Sequence, residues 1–203
     1  MTPSELNREL GNMDIHLLDQ VLKGRFTPGI RILDAGCGEG RNLIYFLQNN
    51  YEVYAVDKDP GAIKLVGMHA RSLSISIGEN QFIAGDLRSL PFSNNAFDAV
   101  ISVNVLQHVD QVTYDAILSE MVRVLAPTGI LFIKMEARDC LPKVSGSTEF
   151  GENRLPAHLI SSMIADKYKL DMEESVRMEE ILGEGCWLVM VLKRRFDSLK
   201  MEW

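Results

Sequence analysis

Apolar and polar positions change their period along this chain. Between Ser4 and Phe26 the apolar residues Ile15, Leu18 and Leu22 recur at helical spacing, with Ser4 placed as an N-cap, which predicts one or two helices. After the turn at Thr27–Gly29, short apolar runs alternate with helical stretches. Strands are predicted over Arg31–Asp34, Glu52–Asp57, Gln81–Ala84, Phe97–Ser102 and Ile130–Met135, and helices over Arg41–Asn49, Pro60–His69 and Val112–Leu125. Pro60 suits a first turn, and Pro127–Gly129 stops the third helix. Strands alternating with helices predict a parallel sheet joined by crossovers.

The last third reads differently. Arg138–Gly151 is rich in Gly, Ser and charge and reads as a loop, followed by a helix near Pro156–Lys167. Two β segments, Tyr168–Met178 and Cys186–Arg194, are joined through Gly183–Gly185, so a hairpin closes one edge of the sheet. No repeat or low-complexity tract interrupts the pattern.

Composition narrows the class. With 203 residues, 46% hydrophobic and 24% charged, one domain with one sizeable core is expected. A formal net charge of −7 disfavours a broad electrostatic grip on nucleic acid or on an anionic membrane. The three cysteines, Cys37, Cys140 and Cys186, lack both disulfide and metal-ligand spacing, so no metal is expected and a cytoplasmic setting is the default. The opening MTPSELNREL has no apolar signal core, and Trp187–Leu192 is too short to span a bilayer.

The chemistry concentrates in ILDAGCGEGRN, Ile32–Asn42. A strand that ends in glycines and runs into a helix lets a ligand approach bare backbone and helix-terminal amides. The dinucleotide pattern G-x-G-x-x-G, counted from Gly36 through Gly38, requires a glycine where Arg41 stands. Asp34 would also repel a pyrophosphate in a partly desolvated turn. A cationic nucleoside without phosphate, S-adenosylmethionine, fits both the glycines and the acid. Asp57, ending the second strand in VYAVDKDP, suits a ribose diol, and Asp86 in FIAGDLRSLPF suits an adenine amine with the Leu87 backbone beside it. Each acid also has an ordinary reading: Asp34 as a turn acid, Asp57 as a surface acid at a strand end, and Gly85–Asp86 as a common turn pair. Asp59 is the better cap for the helix at Pro60.

These stretches, together with FDAVISVNVLQHV and EMVRVLAPTGILFI, resemble the class I S-adenosylmethionine-dependent methyltransferases from about Ile30 to Arg194. The resemblance implies a Rossmann-like α/β fold, a doubly wound seven-stranded sheet, mostly parallel with an antiparallel last strand and helices on both faces. It divides the chain into an N-terminal helical lid (1–28), a cofactor-binding core (29–136) and an acceptor loop, helix and C-terminal β-hairpin (137–203). It implies S-adenosylmethionine as cofactor and S-adenosylhomocysteine as product. Its cofactor contacts would be Asp34, Gly36, Cys37, Gly38, Arg41, Asn42, Asp57, Lys58, Asp86, Leu87, Ser102 and Val103. GRN at Gly40–Asn42 is similar to the tellurite-resistance-like branch, which places Arg41 and Asn42 at the methionine end; otherwise they are a solvated helix start. Cys37 needs only to be small.

His108 is a candidate general base at the mouth of the fourth strand, against the plainer reading of a packing or helix-capping residue. Glu136, Arg138 and His158 are candidates for the acceptor pocket, and Lys193–Arg195 is a solvated strand end. Methyl transfer from a sulfonium needs positioning more than covalent help, so the acceptor is weakly encoded. SVNV at Ser102–Val105 lacks the Asn/Asp-Pro-Pro-aromatic grip of enzymes that methylate adenine and cytosine amines, and the cysteines are too few and scattered for arsenic methylation. A small metabolite or an inorganic oxyanion is the expected acceptor. The other readings are a catalytically silent S-adenosylmethionine-binding domain and a nicotinamide-dependent oxidoreductase, the latter opposed by Asp34 and Arg41.

Overall fold

The computed structural model describes residues 2–136, 164–179 and 186–194. The loop at Arg138–Gly151, the start of the helix near Pro156, the Gly183–Gly185 connection, and the candidates Arg138 and His158 lie outside them.

Two helices come first, α1 (Pro3–Leu10) and α2 (Ile15–Leu22). The cap of α1 is Thr2, not Ser4. Thr2 accepts the Glu5 N–H, and the Glu5 carboxylate accepts the Thr2 N–H at 2.7 Å, with Pro3 in the first turn. Ser4 fails as a cap because the proline ahead of it already has helical φ. Asp14 caps α2 by accepting the His16 N–H at 3.0 Å.

The strands are β1 (Arg31–Ala35), β2 (Glu52–Asp57), β3 (Phe82–Ala84), β4 (Phe97–Val103), β5 (Leu125–Glu136), β6 (Leu170–Glu179) and β7 (Cys186–Arg194). They form one sheet in the order β3-β2-β1-β4-β5-β7-β6. Neighbours from β3 to β5 run parallel, and β7 is antiparallel to both β5 and β6. The crossovers include α3 (Ile44–Gln48), α4 (Pro60–Ser72) and α5 (Gln111–Val124), and residues 164–168 are also helical.

Alternation within the buried strands divides the core into two layers. Leu33, Val100, Leu131 and Ile133 pack with Ile117, Leu118 and Met121 of α5 on one face. Ile32, Ile101 and Phe132 pack with Leu17 of α2, Phe46 of α3 and Val66 of α4 on the other. The first strand ends therefore emerge between the layers, where the glycine turn lies.

α4 runs on past its expected end at His69 to Ser72, and two starts depart from the periodic pattern by three residues or more. The helix expected from Arg41 begins only at Ile44, because Arg41–Leu43 form hydrogen-bonded turns after the glycines, with the Leu43 N–H on the Gly40 carbonyl at 2.9 Å. β5 begins five residues early. Leu125 pairs with Phe97 and Ile130 with Ala99, so Pro127, Thr128 (φ 65°) and Gly129 bulge out between two paired segments. A bulge is where a central strand tolerates a proline.

Candidate cofactor and active site

At the C-terminal ends of β1, β2 and β4 the turn following β1 opens a cavity of about 1000 Å³. Gly36 has φ +88°, and a Cβ there would lie 2.3 Å from Val105 Cγ2, so only glycine lets the turn pass the β4 loop. Gly38 has φ +51° and nothing within 4 Å of where its Cβ would stand. That open face borders the cavity, and a side chain would fill it.

Asp57 ties the turn to β2. One of its oxygens accepts the Gly38 N–H at 2.9 Å and the other the Asp59 N–H at 3.0 Å. Lys58 lines the cavity beside it. On the far side, Asp86 and Leu87 follow β3 into the wall. Asp86 is occupied by the guanidinium of Arg88, whose Nε lies 2.9 and 3.0 Å from its oxygens, and this neighbour holds the carboxyl below the usual aspartate range. Asp59 caps α4 through the Gly61 N–H at 2.8 Å.

Not every expected contact reaches the cavity. Asp34 is 1% exposed, and neither carboxylate oxygen has a hydrogen-bond partner. It lies beneath the turn, and burial, reinforced by Asp57 and opposed by Arg41, pushes its carboxyl up to about 7. Ser102 is likewise buried, at 1% exposure, with its hydroxyl unpaired. Cys37 borders the cavity, and burial followed by the Asp34 and Asp57 charges raises its thiol well above the usual range. It is no thiolate nucleophile.

Arg41, Asn42, Val103 and His108 all line the cavity. His108 sits on a 3₁₀ turn, Leu106–His108, with its N–H on the Val105 carbonyl at 3.2 Å. Glu136 ends β5 opposite Trp187. Sequence reading missed Asn104, Val105, Arg88 and Thr113, which also line the wall, as do Val109 and Ile117. Asn104 takes φ +61° and donates its N–H to the Lys134 carbonyl at 2.9 Å. An asparagine two residues past the predicted strand is the one available signal for it. Among the described residues no three His, Cys, Asp or Glu side chains gather as a metal site, and no helix is long and apolar enough to cross a membrane.

Residues 33–133, about half of the chain, match the family model described as a methyltransferase domain. The demethylmenaquinone methyltransferase of Renibacterium salmoninarum is 32% identical over 152 residues, which cover 74% of this chain and 60% of that protein. Across three of the curated relatives it matches, the chain spans 27–60% of their length. Two solved structures share the fold. A TehB-like S-adenosylmethionine-dependent methyltransferase of Corynebacterium glutamicum has a TM-score of 0.62 at 23% identity, covering 87% of this chain and 86% of that one. The 1,6-didemethyltoxoflavin-N1-methyltransferase of Burkholderia thailandensis, with bound S-adenosylhomocysteine, has a TM-score of 0.65 at 19% identity, covering 97% and 92%. The matching family model, the 3-2-1-4-5-7-6 sheet and the glycine turn over the strand ends agree, and the chain belongs to the class I S-adenosylmethionine-dependent methyltransferases.

Proposed function

We propose that this chain transfers the methyl group of S-adenosylmethionine to a small-molecule acceptor in the cavity above β1, β2 and β4. The observation that carries the reading is the cavity itself: a glycine turn with one open Cβ position, flanked by carboxylates at the ends of β2 and β3. These residues fit the cofactor. When bound, it supplies an electrophilic methyl on a sulfonium.

The chain's own residues then bind and orient. Gly38 admits the ligand against the backbone. Asp57 has lone pairs left after the Gly38 and Asp59 N–H bonds and accepts ribose hydroxyls. Asp86 accepts an adenine amine while still paired with Arg88, and the Leu87 backbone meets the ring edge. Arg41 and Asn42 face the methionine end. Asp34 acts at one remove: buried beneath the turn it keeps its proton up to about pH 7, and a cation above the turn favours its ionised form.

Acceptor binding falls to the wall made by Val103, Val105, Val109 and Ile117, with His108 at its border. An apolar wall excludes water and holds an organic ring better than a hydrated oxyanion, and the relative named for demethylmenaquinone methylation supports an organic acceptor over an inorganic one. His108, at the cavity border, takes a proton from an acceptor hydroxyl or amine. The N-terminal helices, expected as a lid, place no residue in the cavity lining; Asp14 at the start of α2 reaches Asn42 and Arg41 from behind the wall.

Calorimetry with S-adenosylhomocysteine and NADH, followed by an acceptor screen that reads release of S-adenosylhomocysteine, tests the reading. Micromolar binding of S-adenosylhomocysteine and turnover of an organic acceptor are expected, with His108→Ala lowering turnover and leaving cofactor affinity unchanged. NADH binding without S-adenosyl binding would sink it, and cofactor binding without turnover of any acceptor would mark a silent domain.

A further inference from the structure

Behind the Arg41–Asn42 wall lies a buried ion pair that cofactor binding, as proposed above, leaves unexplained. Lys134, near the end of β5, lies on the same side of its strand as Phe132, and its Nζ is 2.6 Å from Asp14 Oδ2. Both side chains are nearly covered, at 11% and 5% exposure. The ammonium also lies 4.8 Å from the centre of the Trp187 ring. A buried pair of this kind gives little net stability over an apolar replacement, so its presence asks for another reason.

Asp14 touches the cavity wall twice. Its N–H donates to Asn42 Oδ1 at 3.0 Å, which commits the amide oxygen and leaves the Asn42 NH₂ as the group to donate toward a ligand. Its Oδ2 is also 3.7 Å from Arg41 Nη2, a loose approach beside the 2.6 Å contact to Lys134. Arg41 is half exposed and lines the cavity. Arg41, Asp14 and Lys134 therefore alternate in sign from the cavity wall to β5.

We infer that Asp14 and Lys134 are positioning residues: Lys134 occupies the Asp14 carboxylate so that Arg41 and Asn42 stay turned toward the ligand. Without the lysine, Arg41 is the ion-pair partner left to the buried Asp14 carboxylate among the described residues, and it swings onto it. The guanidinium then leaves the cavity, although the fold keeps a paired Asp14. The inference rests on S-adenosyl binding at this cavity and names the residues that tune it.

Calorimetry with S-adenosylhomocysteine separates this from a merely structural role. Lys134→Met is expected to weaken binding about tenfold, the scale of one charge-assisted contact, and Arg41→Met to do the same. The double variant of these two should bind no more weakly than either alone, and Lys134→Arg should bind like the wild type. Asp14→Asn combined with Lys134→Met removes the carboxylate that attracts Arg41, so binding should return to within about threefold of wild type. Folded Lys134→Met with wild-type affinity, multiplied effects of Lys134→Met and Arg41→Met, or weak binding by the folded Asp14→Asn/Lys134→Met protein would each overturn the inference. If Lys134→Met does not fold, the Asp14→Asn/Lys134→Met protein alone decides. Wild-type protein that fails to bind S-adenosylhomocysteine would overturn the proposed function instead.

Discussion

Two glycines two residues apart do different work. Gly36→Ala meets both a left-handed backbone and Val105 at 2.3 Å, so it should destabilise the protein by about 2–4 kcal/mol, seen as a lower midpoint in denaturant. Gly38→Ala meets only the backbone cost, on the order of 1 kcal/mol, but places a methyl on the open face of the cavity. It should fold and lose affinity for S-adenosylhomocysteine. Equal effects of the two on stability would contradict this division. Asp34 carries a second consequence. The folded protein keeps its proton up to about pH 7, whereas the unfolded chain releases it near 3.8. Between those values the unfolded state binds fewer protons, so Asp34 makes stability fall as pH rises across the window. Asp34→Asn should remove that slope and leave the protein more stable than wild type at pH 8, by about 4 kcal/mol at most. Urea midpoints at pH 5 and pH 8 measure it, and an unchanged difference between wild type and variant would refute it. The glycines and acids of this turn were legible in the sequence because each stands at a strand end fixed by apolar runs. What the sequence could not convey is depth: residue type alone does not tell that Asp34 and Ser102 are covered while Asp57 and Asp86 reach the cavity.

At the scale of elements, the N-terminal helices are attached unequally. α2 is held at its start by the Asp14 pair and at its end by Lys23 and Arg25, which meet Glu173 and Glu174 of β6 at 2.8–3.4 Å. α1 buries no residue. Its order depends on its own capping box and on contact with α3. Thr2→Ala should therefore speed amide exchange in Leu6–Leu10 with no change in the global unfolding midpoint, a cap being worth about 1 kcal/mol. A lowered global midpoint would mean that α1 belongs to the cooperative core. Strands β1, β2 and β4 follow their apolar runs to within one residue, since burial on both faces leaves a continuous signal. The start of α3 and the bulge in β5 were hidden because local turns and pairing with Phe97 override a helix period and a proline stop.

Across the whole molecule, the family resemblance implied seven strands with an antiparallel last one, but the order 3-2-1-4-5-7-6 could not be reached from periodicity, which is silent on which strands adjoin. The same holds for the cavity wall. Asn104, Val105 and Thr113 reach it only because β4 and α5 converge on the glycine turn. The sheet order also has a bearing on synthesis. β7 pairs with β5 from Ile130 to Glu136, yet it is the last described strand to leave the ribosome. Until then the nascent sheet ends in a bare edge containing Leu131, Phe132 and Ile133, a template for pairing with other chains. Synthesis arrested before Cys186 should yield aggregating polypeptide, held in solution by a chaperone, where the full chain stays dispersed.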